Sequence, residues 1–265
     1  MNKIKNILIW LTIITYLIVS LSFVSTKEKA SICSKIEINI VDNTENQFVE
    51  EQEIINALKN NGEKLLSYHV DSINTDKIEQ IIYQHTSIKK AVVYIEKNEI
   101  LKIDITQRNP IVRVVNYNNE SYYIDQEGYL MPLSKKYTAH VPIVNGNINE
   151  PLAKYRNKNL LDETPDDDEF STNNILKDVF ILSKYIYEND IWKSLVEQIY
   201  INEKNEFELV PKIGVETIMM GDISDYENKF IRLDYLYKIG FPKTGWRKYK
   251  SVNLKYTNQA ICTKR

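Results

Sequence analysis

Three histidines and two cysteines are the side chains of this 265-residue chain best suited to metal binding or nucleophilic catalysis. His69, His85 and His140 are isolated from one another and share no spacing that is typical of a metal site. Cys33 and Cys262 lie near opposite ends of the chain, without the short Cys-x-x-Cys spacing of a zinc site. The sequence therefore predicts no catalytic residue, no metal ligand and no cofactor site among them.

A disulfide between the two cysteines is a separate question. It is conceivable only if both cysteines lie outside the reducing cytoplasm. Two cysteines without a recognisable pattern are more often free, so the spacing of Cys33 and Cys262 leaves their pairing open.

Other signatures of hydrolytic enzymes are missing from the sequence. Neither G-x-S-x-G nor H-E-x-x-H occurs. The acidic run at residues 162–169 lacks the alternating ligands and the central glycine of a calcium loop, and it favours a solvated loop. Two carboxylates brought together by folding remain the one route to a hydrolase that the sequence leaves open.

The composition favours a globular protein whose partners are other proteins. The net charge is −2 and the 34 lysines and arginines are spread along the chain, so no basic surface for nucleic acid is predicted. Eighteen tyrosines suit exposed sheet faces and protein contacts, because a tyrosine ring has one apolar body and one polar end. No small-molecule substrate is predicted.

Residues 7–24 are the segment that predicts a membrane anchor. They carry no charge, their only polar interruptions are Thr12, Thr15, Ser20 and Ser22, and eighteen residues are just long enough to span the hydrocarbon of a bilayer. A cleaved signal peptide is the alternative, but the run is longer than a usual apolar core and no small-x-small cleavage site precedes Lys27. We expect a single transmembrane helix behind a short cytoplasmic tail at residues 1–6, with the bulk of the chain outside.

A small α+β unit is predicted for residues 34–108. Alternating apolar residues indicate strands, and apolar residues at helical spacing indicate helices. The predicted order is strand, helix, helix, strand, strand: residues 35–41, a helix behind Glu50-Glu51, a helix capped by Thr75, residues 91–95 and residues 100–106.

A second, strand-rich domain is predicted for residues 109–265. Asn109-Pro110 interrupts the preceding strand, and Asp125 with Gly128 indicates the turn of a hairpin. A mixed sheet with flanking helices should follow, namely a helix capped by Asn173 or Asn174, a hairpin at 198–211, a short strand at 216–220, a helix at 222–239 stopped by Gly240 and Pro242, and a long terminal strand.

Four short motifs occur in a telling order along the chain. They are Gln107-Arg108-Asn109-Pro110, Tyr122-Tyr123-Ile124-Asp125, Val141-Pro142-Ile143-Val144 and Gly245-Trp246 with Val252-Asn253-Leu254-Lys255-Tyr256. In this order and spacing they resemble FtsQ (DivIB in Gram-positive bacteria), a family of bitopic cell-division proteins, and most closely its form in Bacteroidetes. The resemblance covers nearly the whole chain and implies a POTRA-like fold for residues 34–108. The acidic segment 162–169 departs from it and looks like an insertion.

The resemblance implies a non-enzymatic divisome scaffold in the bacterial inner membrane. Such a protein binds FtsB/FtsL-like partners in the periplasm at the division septum, and through them it helps to regulate the FtsW/FtsI peptidoglycan synthase. A membrane-tethered periplasmic assembly or transport adaptor is the alternative from another class, and a cell-wall hydrolase is a further one.

The end of the chain is the predicted partner-binding site. A strand that closes a sheet offers unpaired N–H and C=O groups to which a partner can add a strand. We expect residues 250–261 to form that edge strand. The alternative is that some of its apolar side chains, Val252, Leu254 and Tyr256, point into the core. The predicted partner-binding residues are Tyr249, Val252, Asn253, Leu254, Lys255, Tyr256, Gln259 and Ile261.

Overall fold

A computed structural model describes residues 5, 9–20, 32–41, 47–62, 68–96, 98–162 and 174–265. The predicted anchor at 7–24 is described only at residues 9–20, which are helical. Among the described residues, no helix has both the length and the apolar character needed to cross a membrane. The tail at 1–6, apart from Lys5, and the acidic segment 162–169, apart from Asp162, lie outside the described residues.

Two compact units make up the chain. One contains residues 1–45 and 49–107, and the other contains residues 46–48 and 108–265.

The first unit has the predicted order of strand, helix, helix, strand, strand. Its sheet has the order β1-β3-β2, with β1 parallel and β2 antiparallel to β3. Along the central strand β3, the fully buried side chains of Leu101, Ile103 and Ile105 alternate with polar side chains, because successive residues of a strand point to opposite faces of the sheet. The elements are β1 (Lys35–Ile40), α1 (Glu51–Asn60), a 3-10 turn (Val70–Ser72), α2 (Thr75–Tyr83), β2 (Ile88–Ile95) and β3 (Ile100–Gln107).

Polar side chains at the helix starts satisfy backbone N–H groups that have no partner within the helix. Glu50 and Glu53 form a capping box at the start of α1. The cap of α2 is Asn74, whose side chain accepts a hydrogen bond from the N–H of Lys77 at 2.9 Å. The prediction that Thr75 is the cap is therefore wrong by one residue, since Thr75 is already helical.

The environment of His85 predicts that the stability of the first unit depends on pH. Burial lowers the pKa of His85 from its ordinary value, and Glu53, with Oε2 at 3.9 Å from Nε2, opposes this only in part. A lowered pKa in the folded state means that the unfolded chain takes up this proton first as the pH falls below about 6.5. His85 therefore contributes stability above that pH, and the contribution is lost as the pH falls further.

We expect the stability of the first unit to fall between pH 7.5 and pH 5.5 by more in the parent chain than in His85→Gln. The measurement is amide exchange of β2 and β3 in urea at the two pH values, because these strands report on this unit alone. An equal fall in both chains would show that His85 does not carry the pH dependence.

The second unit is built on a nine-stranded mixed sheet of order β12-β11-β10-β9-β8-β7-β4-β5-β6. Its strands are β4 (Pro110–Val115), β5 (Ser121–Asp125), β6 (Leu130–Pro132), β7 (Ile143–Gly146), β8 (Val196–Ile201), β9 (Phe207–Pro211), β10 (Thr217–Gly221), β11 (Tyr249–Asn253) and β12 (Ile261–Lys264). Its helices are α3 (Ile175–Glu188), α4 (Asp190–Leu195), α5 (Tyr226–Tyr235) and α6 (Phe241–Thr244), with a 3-10 turn at Leu152–Tyr155.

One hydrophobic core combines the inward side chains of these strands with the buried faces of α3, α4 and α5. Asn174 caps α3, as predicted, by accepting a hydrogen bond from the N–H of Leu176 at 3.2 Å. The ring centroids of Trp192 on α4 and Phe230 on α5 lie 5.2 Å apart. Aromatic packing of this kind adds to the free energy of burial and fixes the helices over the sheet.

The predicted hairpin at Asp125 and Gly128 is confirmed. Asp125 Oδ1 accepts hydrogen bonds from the N–H groups of Glu127 at 2.9 Å and Tyr129 at 2.8 Å, and Gly128 has a φ of +91°. Asp125 Oδ2 also accepts a hydrogen bond from Arg108 Nη1 at 2.8 Å. The guanidinium of Arg108 lies 3.8 Å from the ring centroid of Tyr129. A buried carboxylate with this many donors stabilises the turn in one geometry.

The predicted stop after residue 239 is wrong. Helix α5 begins only at Tyr226, and the chain stays helical past Gly240 through a π-helical turn, Leu236–Gly240, and then α6. Gly240 has ordinary right-handed helical angles, and Pro242 lies in the first turn of α6. Proline is tolerated in the first turn of a helical segment because its fixed φ is already that of a helix.

Candidate partner-binding edge

The end of the chain is a hairpin and not one strand. The prediction of a single edge strand at residues 250–261 is wrong, because β11 lies between β10, to which it is parallel, and β12, to which it is antiparallel. Asn258 has a φ of 60° in the turn that divides the two strands. Asparagine adopts this left-handed conformation more readily than most residues, which explains the reversal of the chain at that point.

Strand β12 is the edge of the nine-stranded sheet. It has β11 on one side and, within the described part of the chain, no strand on the other. The N–H of Arg265 donates to the carbonyl of Lys248, directly before β11, at 3.2 Å, so the backbone of Arg265 faces the β11 side of the hairpin. Since strand backbones alternate, the N–H and C=O groups of Lys264 and Cys262 face outward. These groups can pair with an added strand.

Strand β11 and the residue that follows it, Leu254, are bonded to β10, to the residue before β10 and to α5. Leu254 N–H donates to the carbonyl of Met219 at 2.9 Å, and Arg232 Nη2 on α5 donates to the carbonyl of Leu254 at 3.1 Å. The N–H of Glu216 donates to the carbonyl of Lys250 at 2.8 Å. The edge therefore rests on a rigid base, which reduces the conformational entropy lost when a partner binds.

Three of the residues predicted to contact a partner are on or beside the exposed part of this hairpin. Tyr256 is 51% exposed and Ile261 is 44% exposed, and Gln259 is exposed in the turn between β11 and β12. Ile261 lies on the edge strand itself, opposite Asn253. These side chains are available to touch a strand added at β12.

Of the other five predicted residues, two are buried, Tyr249 and Asn253 are half-buried, and Lys255 is exposed but bonded within the chain. Val252 and Leu254 are fully buried in the core, as the alternative reading anticipated, and the half-buried Tyr249 packs against Phe241. Lys255 Nζ is bonded to Glu206 Oε2, and this bond lowers the pKa of the Glu206 carboxyl. A partner role for any of the eight residues stays a prediction.

A basic cleft of about 630 Å³, which sequence reasoning did not predict, lies beside the same edge. It lies where the β9–β10 loop, the segment before β11 and the end of β12 converge. Trp246 is held there by Tyr237 and Phe241, each with its ring centroid 5.7 Å away. Arg265 Nη1 pairs with Glu216 Oε1 at 3.1 Å. The lining residues are Lys212, Ile213, Gly214, Trp246, Arg247 and Arg265.

The candidate chemical residues are not brought together. Across the described ranges, no three histidine, cysteine, aspartate or glutamate side chains are arranged to hold a metal ion. His69 pairs with Ile32 in an isolated bridge, and His140 is exposed before β7. Cys33 and Cys262 are both free thiols.

Comparison with known families gives two matches. A family model described as FtsQ/DivIB, C-terminal related, matches residues 109–263, which is more than half of the chain and includes all of β11 and most of β12. A model described as a POTRA-like domain matches residues 31–106. No curated protein matches the chain.

Proposed function

Because the chain belongs to the FtsQ/DivIB family, we propose that it is a non-enzymatic scaffold of the cell-division machinery that receives FtsB/FtsL-like partners at β12. The observation that carries this proposal is the outward row of backbone groups on β12, at the end of a sheet whose other elements hold it rigid. The matched C-terminal family region extends into this strand.

Strand addition explains how a partner would bind without a pocket. Each backbone hydrogen bond to a partner contributes about 1 kcal/mol net, so several bonds along β12 give a basal affinity that does not depend on sequence. Side chains that alternate along the edge then supply specificity. Ile261 and the nearby Tyr256 offer the exposed apolar surface for this purpose.

The basic cleft favours one kind of partner segment. Lys212, Arg247 and Arg265 surround Trp246 beside the end of β12, and Glu216 is the acidic residue that pairs with Arg265 there. A segment with acidic side chains close to its strand would be attracted to this cleft, and the attraction would raise its association rate more than its final affinity. We therefore expect acidic residues in the partner segment.

The remaining parts of the proposal concern where the scaffold works. Residues 7–24 would anchor it in the inner membrane as a single-pass protein with its N terminus in the cytoplasm. The two units would then lie in the periplasm at the septum, where bound FtsB/FtsL-like proteins transmit control to FtsW/FtsI. The apolar composition of residues 7–24 and the family membership support this arrangement.

Depletion of the protein in growing cells is the experiment that tests the proposed function. We expect cells to continue growing and to form filaments, because septal peptidoglycan synthesis would lose its scaffold. Phase-contrast microscopy with a fluorescent cell-wall label at the septum measures this directly. A re-expressed parent copy is the control and should restore septa. Normal septation after depletion would contradict a division role, and defects confined to periplasmic assembly would favour the adaptor alternative.

A further inference from the structure

The first unit contains a second candidate edge, strand β2. This strand has 8 residues and lies at the outside of the three-stranded sheet. Val92 and Tyr94, on its outer face, are 36% and 39% exposed. A long edge strand with exposed apolar residues pairs readily with other chains unless something covers its backbone groups.

Two side chains from α2 occupy that edge. Tyr83 Oη lies 3.2 Å from the N–H of Ala91 and 3.3 Å from the carbonyl of the same residue, so the hydroxyl both accepts and donates. Glu79 Oε1 accepts a hydrogen bond from the N–H of Val93 at 2.8 Å. Because Glu79 and Tyr83 are four residues apart on one helix, they lie on the same face and act side by side.

The bonded backbone groups are those that a new strand would need. Strand alternation turns the backbone of residues 90, 92 and 94 toward β3 and the backbone of residues 91 and 93 away from it. Three outward groups, the N–H and C=O of Ala91 and the N–H of Val93, are taken by the two α2 side chains. A partner strand cannot pair at these positions while Tyr83 and Glu79 remain.

We infer that Glu79 and Tyr83 close β2 against strand addition by a second copy of this chain. This inference does not depend on the proposed function, because it concerns the first unit alone.

Without Glu79 and Tyr83, the geometry of β2 would allow it to pair with the same strand of a second copy of the chain. Two β2 strands paired antiparallel about Val92 would place Ala91 of each copy opposite Val93 of the other. That arrangement uses the same outward groups that Tyr83 and Glu79 now hold. Lys90 would face Tyr94 of the other copy, so no like charges would be opposed across this pairing.

The test is the double variant Glu79→Ala with Tyr83→Phe in the purified full chain, in detergent. At low concentration we expect amide exchange at Ala91 and Val93 to rise about fivefold, the factor that corresponds to about 1 kcal/mol for each lost hydrogen bond. At higher concentration we expect a dimer in sedimentation, with exchange at the same two amides slowed again. Tyr83→Phe keeps the ring and removes only the hydroxyl, so packing on α2 is preserved.

Two matched variants separate the closing of the edge from a general change in α2. Glu79→Gln keeps an acceptor oxygen, and Gln80→Ala changes the exposed neighbour of Glu79. Both should remain monomeric with the exchange of the parent chain. Unchanged exchange in the double variant would overturn the inference, and so would faster exchange in a chain that stays monomeric at every concentration.

Discussion

Replacing Lys264 with proline should weaken binding of the proposed FtsB/FtsL-like partner by about tenfold to a hundredfold, because the variant loses one outward N–H and its ring blocks the approach of a neighbouring strand. The backbone of Lys264 faces away from β11, since the adjacent Arg265 donates to Lys248. The measurement is the Kd for the purified partner, with co-purification from cells as a second readout.

The fold of the variant should survive this change. Proline is accepted on an edge strand where its N–H would face solvent, so the hairpin keeps its bonds to β11. Lys264→Ala is the matched control, since it removes the charge and keeps the N–H. Its affinity should stay within about threefold of the parent if the backbone carries binding. Equal affinity of a folded Lys264→Pro variant and the parent would show that the partner does not add a strand at β12.

Gly146→Ala should destabilise the second unit by about 3 kcal/mol or more, which corresponds to roughly 10 °C in Tm. Gly146 ends β7 with a φ of +111°, and a Cβ there would lie 2.0 Å from the carbonyl oxygen of Ile201 on β8. Backbone atoms cannot move aside as a side chain can, so β7 and β8 would have to separate. Urea unfolding followed by tryptophan fluorescence measures the change, because Trp192 and Trp246 both lie in this unit and only Trp10 lies outside it.

Gly245→Ala is the control that separates backbone strain from the steric clash with Ile201. Gly245 has a φ of +100°, close to that of Gly146, but a Cβ there would meet nothing within 4 Å. We expect this variant to lose only about 1 kcal/mol, the cost of placing alanine at positive φ. Similar losses in the two variants would show that conformational strain, and not contact with β8, makes Gly146 necessary.

Local patterns in the sequence were sufficient to predict those elements whose geometry is determined by neighbouring residues. The alternation at Leu101, Ile103 and Ile105 predicted β3, and the Asp125 and Gly128 pair predicted the turn that the structure confirms. In both cases the residues that determine the geometry lie within a few positions of one another. The spacing of apolar residues and the residue types typical of turns therefore predict such segments well.

The pairing of distant strands could not be read in the same way. Strand β7 lies between β4 and β8 with both pairings parallel, and no local pattern encodes that position. The alternation at Val252 and Leu254 looked like one long strand because the turn at Asn258 has neither glycine nor proline. The basic cleft and the hydrogen bond from the Val93 N–H to Glu79 also join residues that are remote in sequence or on separate elements.

The π-helical turn at Leu236–Gly240 implies that the number of residues between α5 and α6 is under strict constraint. A π-turn accommodates one residue more than a regular helix does. Losing that residue would turn α6 by about 100° around the helix axis, the angle that one residue occupies in a helix, and the buried Phe241 would leave the core. Insertions and deletions in relatives should therefore be rare between residues 236 and 244 and frequent in the exposed turn at residues 255–259.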